Sequence, residues 1–175
     1  MAPRIWATEY APRSMAASQL PSPSEFVVSI TDGGLDEALA APDGLMPTSV
    51  LDEGSFVIEL PDESDPRAAW KRLVDQYGTA AWVSPVVVDE SSIPHYPTGD
   101  VTVRFRGAVP DEEVQRFAES NGLELRARNE FVPEQASFHP RDPRGTYLPE
   151  LVEQLQREDA VETAWLNTKS VYRRA

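Results

Sequence analysis

Cysteine is absent from this chain, and histidine nearly so, with His95 and His139 alone. The first absence excludes disulfides, a thiolate metal site and a cysteine nucleophile. The second leaves no HxxxH or HExxH pair, so a zinc site would have to be built from carboxylates alone. GxSxG, GxxxxGK[ST] and GxGxxG are missing as well, which removes the sequence signs of a nucleophile elbow, a P-loop and a dinucleotide site. No apolar run reaches the roughly 18 residues of a membrane span, and the opening MAPRIWATEYAPRSMAASQL holds no apolar stretch of signal-peptide length. A cytoplasmic chain with no membrane role is expected.

Positive charge is also scarce: 16 Lys and Arg stand against 29 Asp and Glu, for a net charge of −13. Such a balance argues against nucleic acid, whose phosphates need a cationic face, and against anionic membrane surfaces. A protein or small-molecule partner is expected instead. The charge is uneven, with net +1 over residues 1–24, −11 over 25–92 and −3 over 93–175. That asymmetry points to two modules with different faces.

What is present is a repeated pattern. TAAWVSPVVV (Thr79–Val88) and ETAWLNTKSV (Glu162–Val171) each follow an amphipathic helix and each set a tryptophan at the head of a β-rich run. Residues 1–24 carry Pro3, Pro12, Pro21 and Pro23 without periodicity and read as a flexible arm, in which Trp6 and Tyr10 are candidate docking side chains. Residues 25–91 form the first expected module. EFVVSI is a strand with Phe26, Val28 and Ile30 on one face, and TDGG and LDEALAA a turn and a short helix. TSVLDEG and SFVIEL form a hairpin with Phe56, Ile58 and Leu60 facing one way. DESDPRAAWKRLVDQYG is a helix capped by Ser64 or Asp65 and ended by Gly78, with Trp70, Leu73, Val74 and Tyr77 as one stripe. Pro85 implies an edge or a bulge in the strand that follows.

DESSIPHYPTG is a linker by composition, so residues 92–99 are expected to join the modules. The second module, 100–175, opens with Val101, Val103 and Phe105 on one strand face. A helix with acids in its first turn ends at Asn121-Gly122 and buries Val114, Phe117 and Ala118. LELRAR and EFVPEQASFHP read as strands, TYLPELVEQLQRED as a helix with Leu148, Leu151, Val152 and Leu155 in one stripe, and AVETAWLNTKSVYRR as a last strand. Each half runs strand, helix, strand, strand, helix, strand. The expected fold class is therefore α+β, two tandem ferredoxin-like (βαββαβ) modules with antiparallel sheets and helices on one face.

Candidate chemistry is thin. Gly33-Gly34 reads as a turn and not as a phosphate cradle. Asp62, Glu63 and Asp65, and likewise Asp111, Glu112 and Glu113, sit at helix starts where acids favour the dipole, and read as caps in preference to metal or acid–base groups. His95-Tyr96, between prolines, is either a recognition element or a packed linker. No catalytic residue, metal site or cofactor is assigned, and the chain is expected not to be an enzyme.

Two stretches carry a resemblance. VTVRFRGAVPDEEVQRFAESNGLEL, with Phe105, Gly107-Ala108-Val109, Glu112-Glu113 and Gly122-Leu123, is similar to the opening of the N-terminal prodomain of bacterial subtilisin-like serine proteases, of the fervidolysin type. GTYLPELVEQLQREDAVETAW resembles that prodomain's second helix and last strand at Gly145, Leu148, Leu151, Val152, Leu155, Val161, Glu162 and Ala164. DPRAAWKRLVDQYGTAAWVSPVVVD looks like a further helix–strand end, and Tyr96–Gly99 matches a linker of that group. The Asp, His and Ser motifs of a subtilase are absent, and Trp165-Leu166-Asn167 replaces the usual proline-containing end.

The resemblance implies a folding chaperone and inhibitor whose C-terminal tail lies in a protease cleft as an extended strand, held by backbone hydrogen bonds. Here the tail would be Ser170, Val171, Tyr172, Arg173, Arg174 and Ala175, acting in trans on a separately encoded protease. The alternative for the tail is a frayed end. The alternatives for the protein are an adaptor or regulatory subunit of a bacterial complex and a small-molecule-sensing tandem. The −11 on residues 25–92 implies a partner with cationic patches.

Overall fold

The computed structural model describes residues 5–6, 19–30, 47–60, 65–78 and 81–171. The architecture is α+β, with antiparallel strand pairs and, among the described residues, three helices. The chain divides into two compact units. One comprises Met1–Thr8, Leu20–Pro97 and Thr168–Ala175, the other Glu9–Gln19 and Thr98–Asn167.

In the first unit the strands are β1 (Ile5–Trp6), β2 (Leu20–Ile30), β3 (Pro47–Asp52), β4 (Ser55–Glu59) and β5 (Ala81–Val88), with helix α1 (Pro66–Tyr77) between β4 and β5. The start of β6 (Pro94–Phe105) and the end of β9 (Val161–Val171) also belong to it. Its hydrogen-bonded order runs β5-β2-β4-β3. Phe26 pairs with Ile58 and Val28 with Phe56. All four are fully buried, on the face the alternation predicts. The alternation is only half the account, because Ser55 and Val57 on β4 and Trp82 and Ser84 on β5 are buried too. These strands are covered on both sides, and that is why AWVSPVVV reads as a nearly unbroken apolar run.

The cap of α1 is Asp65, whose Oδ1 accepts from Arg67 N at 3.0 Å and Ala68 N at 3.4 Å, with Pro66 at the first helical position. Gly78 ends it at φ 55°, a conformation that favours glycine. The helix buries Ala69, Trp70 and Leu73, and Trp70 Nε1–H donates to the Val83 carbonyl of β5 at 2.8 Å. Tyr77 meets Phe56 edge-on at 6.3 Å. Pro85 pairs with Phe26, where the β2–β5 register shifts between Pro21 and Phe26, an irregularity of the kind expected there. The expected TDGG turn, the helix at Leu35–Ala41, Gly33-Gly34, Asp62, Glu63 and Ser64 lie outside the described residues.

The expected boundaries need correction, and Thr168–Ala175, expected in the second module, group with the first unit. Leu20–Ser24, expected in the arm, are strand, with Leu20 and Pro21 paired to Val88 and Val87. Residues 94–99, expected as linker, are the first half of β6, which turns back on β5 with His95 opposite Val87. The turn is made just before it. Asp89 Oδ1 accepts from Ser91 N and Ile93 N at 2.8 and 3.0 Å, and Ser92 takes φ 60°. Prolines dominate the composition here, but a strand tolerates proline wherever its nitrogen has no ladder partner to lose.

In the second unit, β6 is followed by α2 (Asp111–Ser120), β7 (Leu123–Arg128), β8 (Gln135–Pro140), α3 (Leu148–Gln156) and β9. The strand order is β9-β6-β8-β7. Val101, Val103, Phe105 and Phe138 are buried with Val114 and Ala118 of α2 and Leu148, Leu151, Val152 and Leu155 of α3. Phe117 sits between Phe105 and Phe138 at 5.1 and 5.6 Å. The expected strand at Glu130–Pro140 is shorter than its sequence. Residues 130–134 form a loop, because Asn129 Oδ1 accepts from Phe131 N and Val132 N at 2.9 and 3.2 Å and turns the backbone off the ladder.

Candidate functional site

The candidate tail begins inside β9. Ser170 and Val171 pair with Trp6 and Ile5 of β1, so the backbone of the arm candidate Trp6 and the start of the tail candidate meet in one ladder. Tyr10 and Tyr172, Arg173, Arg174 and Ala175 lie outside the described residues. One step before the tail, Lys169 Nζ donates to Asp52 Oδ2 at the end of β3, where both side chains are about one-quarter to one-third exposed. Burial alone would raise the Asp52 pKa. The Lys169 hydrogen bond and charge, with bonds from Gly54 N–H and Ser55, outweigh it and hold the carboxyl below the usual range. This bond clamps the last strand where it hands over to the tail. Nothing in the residue pattern announced it.

Both histidines sit beside an aspartate. His95 Nε2 lies 3.0 Å from Asp89 Oδ2, and His95 is buried. That hydrogen bond first, with the Ile93 and Ser91 N–H groups, holds the Asp89 carboxyl below the usual range. His139 Nδ1 lies 2.7 Å from Asp100 Oδ1 in the second unit. Each pair stays within its own unit. The pair at Asp89 closes the turn into β6, which is a structural task. His95 belongs to a packed strand and not to a free recognition loop.

The acidic helix start at Asp111, Glu112 and Glu113 is the first turn of α2, and Asp111 Oδ1 accepts from Arg128 Nη1 at 2.6 Å. Arg128 also donates to the carbonyls of Val109 at 2.9 Å and Pro133 at 2.6 Å, joining the helix entry to the β7–β8 loop. An open groove of about 730 Å³ runs between α2 and β7, lined by Asp111, Glu112, Arg116, Glu119 and Arg128 among others, with Leu125 its apolar member.

The sheet of the second unit closes its own margins. On β9, the Gln19 side chain accepts from Leu166 N at 3.0 Å and donates to Leu166 O at 3.3 Å, and Gln156 Nε2 donates to Ala164 O at 2.9 Å. On β7, the register shifts between Leu125 and Ala127, and Glu124 and Arg126 are exposed. Side-chain plugs, a bulge and charges are three ways of keeping an edge strand from taking a foreign strand. The face carrying Thr102 is also occupied by internal bonds. Thr102 Oγ1 is 3.0 Å from Ser137 Oγ and donates to Asn167 Oδ1 at 2.6 Å, and Thr102 is buried.

No helix among the described residues is long and apolar enough to cross a membrane. Neither family models nor curated proteins give a match to this chain.

Proposed function

We propose that the protein is a non-enzymatic polypeptide-binding module that acts in trans in the manner of a subtilase propeptide, offering its C-terminal strand to the partner. On this reading it is two ferredoxin-like modules in tandem. Numbered from β2 in the first unit and from β6 in the second, the strand order is fourth, first, third, second in both, and in the second unit the element order is strand, helix, strand, strand, helix, strand. The observation that carries the functional reading is the backbone of the first two tail residues. β9 stays extended through Val171, and among the described residues β1 pairs with it over two residues, Ser170 and Val171. A two-residue ladder is a weak hold, whereas a cleft that pairs with the whole segment supplies several backbone hydrogen bonds at once. The Lys169–Asp52 clamp fixes the strand just upstream, so the tail leaves from a defined point. A cationic partner surface complements the −11 of residues 25–92.

The test compares the full chain with a chain ending at Lys169, titrated against purified subtilisin-type proteases with a chromogenic peptide substrate. Nanomolar to micromolar inhibition by the full chain, weakened at least about a hundredfold by the truncation, supports the reading. Equal inhibition by both, or none by either across the panel, overturns it. The adaptor reading is favoured by one separate observation, the exposed Phe131 of the second unit.

A further inference from the structure

We infer that the β7–β8 loop of the second unit is a docking knob for a folded protein that offers a one-ring apolar pocket bordered by cationic side chains, with Phe131 as the inserted residue. A single exposed apolar side chain is ordinary on protein surfaces. Phe131 differs in degree and in support. It is 93% exposed, the largest exposure among the large apolar side chains described.

The loop that carries it is held from every side. Asn129 Oδ1 takes the Phe131 and Val132 N–H groups, Asn129 N donates to Gln135 O at 3.0 Å, and Gln135 N donates to Val132 O at 2.9 Å. Arg128 donates to Pro133 O, and Phe105 N, from β6, donates to Glu134 O at 2.8 Å. The ring therefore stands on a backbone ordered before any partner arrives, and binding forfeits little further loop entropy. Rigid aromatic side chains that enter a pocket are the usual energetic centres of protein interfaces.

The alternatives for this unit are weaker. Its outer strands are plugged or bulged, so strand addition is disfavoured there. The partner's chemistry follows from the flanks. Arg128 is paired with Asp111, and Glu130 and Glu134 stand on either side of Phe131 in the loop, Glu130 exposed and Glu134 partly so. Two carboxylates flanking an apolar tip match a pocket with Lys or Arg at its rim. They also oppose insertion into an anionic membrane.

The test places a photo-crosslinking benzoylphenylalanine at position 131 of the full chain in the cells that make it, with the same residue at Gln115 on α2 as a control. The protein crosslinked from position 131 alone is then purified, and its binding measured. Expected are an affinity for the partner that falls about thirtyfold with Phe131→Ala and is retained in the chain ending at Lys169. An association rate slowed by Glu130→Lys with Glu134→Lys, and a footprint on the partner over apolar residues ringed by Lys or Arg, complete the expectation. Because Phe131 is outside the core, Phe131→Ala must keep the native circular dichroism and Tm. An adduct to a second copy of this chain, equal adducts from both positions, or none from either overturns the inference. So does less than a twofold effect of Phe131→Ala, or Phe131-dependent binding to phosphatidylglycerol vesicles. No protease inhibition by the full chain, with this binding intact, marks failure of the tail reading alone, and tail-dependent inhibition without Phe131-dependent binding marks failure of this one.

Discussion

Replacing Lys169 by Met and Asp52 by Asn, singly and together, measures the clamp that holds the last strand. The two groups share a charge-assisted hydrogen bond, and their side chains are 26% and 31% exposed. A fully exposed pair of this kind contributes about 0–1 kcal/mol, and a hydrogen bond to a charged group in a protected site about 1.5–3 kcal/mol. The intermediate exposure places the coupling at about 1–2 kcal/mol in a double-mutant cycle of urea unfolding at pH 7. Its pH dependence has a definite direction. The folded-state pKa of Asp52 is lowered, so the stabilisation is fully present above the unfolded carboxylate value of about 3.9. It is lost as pH falls through the lower folded value. The coupling should therefore be flat from about pH 5 to 8, shrink in strong acid, and weaken at about 1 M salt. Amide exchange at Ser170 and Ile5 should quicken in Lys169→Met, because the ladder with β1 loses its neighbouring anchor. A coupling below about 0.3 kcal/mol, within the range by which independent sites add, would refute the reasoning, as would one that grows on acidification.

The Tyr77 hydroxyl is buried without a hydrogen-bond partner among the described residues. Tyr77→Phe should accordingly raise stability by about 1 kcal/mol in chemical denaturation. Burial raises the Tyr77 pKa to about 12, so wild-type stability should fall between about pH 10 and 12 by a component that Tyr77→Phe lacks. Asp65→Ala removes the acceptor of two N–H groups at the start of α1 and should destabilise by about 1 kcal/mol, whereas Asp65→Ser should recover most of that loss.

The stripes Leu148, Leu151, Val152, Leu155 and Trp70, Leu73, Val74, Tyr77 were legible because helical periodicity is a local property. So was the alternation of Val101, Val103 and Phe105. The linker was misjudged because proline frequency reports what a chain avoids in a ladder and not whether the chain is extended. Pro94 and Pro97 are both in β6. The shortening of the strand after Asn129 depends on one side chain capturing two N–H groups, a detail the apolar pattern of EFVPEQASF conceals, although Asn at that position was an available signal. The Lys169–Asp52 clamp joins residues 117 positions apart and leaves no local trace. Phe131 was hidden for the opposite reason: in a β-rich stretch an aromatic is read as core.

The two bonds between Gln19 and Leu166 have a consequence for handling the protein. A side-chain amide imitates one residue of a neighbouring strand, but it lacks the cooperativity of a ladder. Mild urea or heating should unseat it well ahead of global melting. The backbone of Leu166, losing this partner, would then be open to pairing with other molecules, and concentrated samples should form fibrils from a state whose core is still intact.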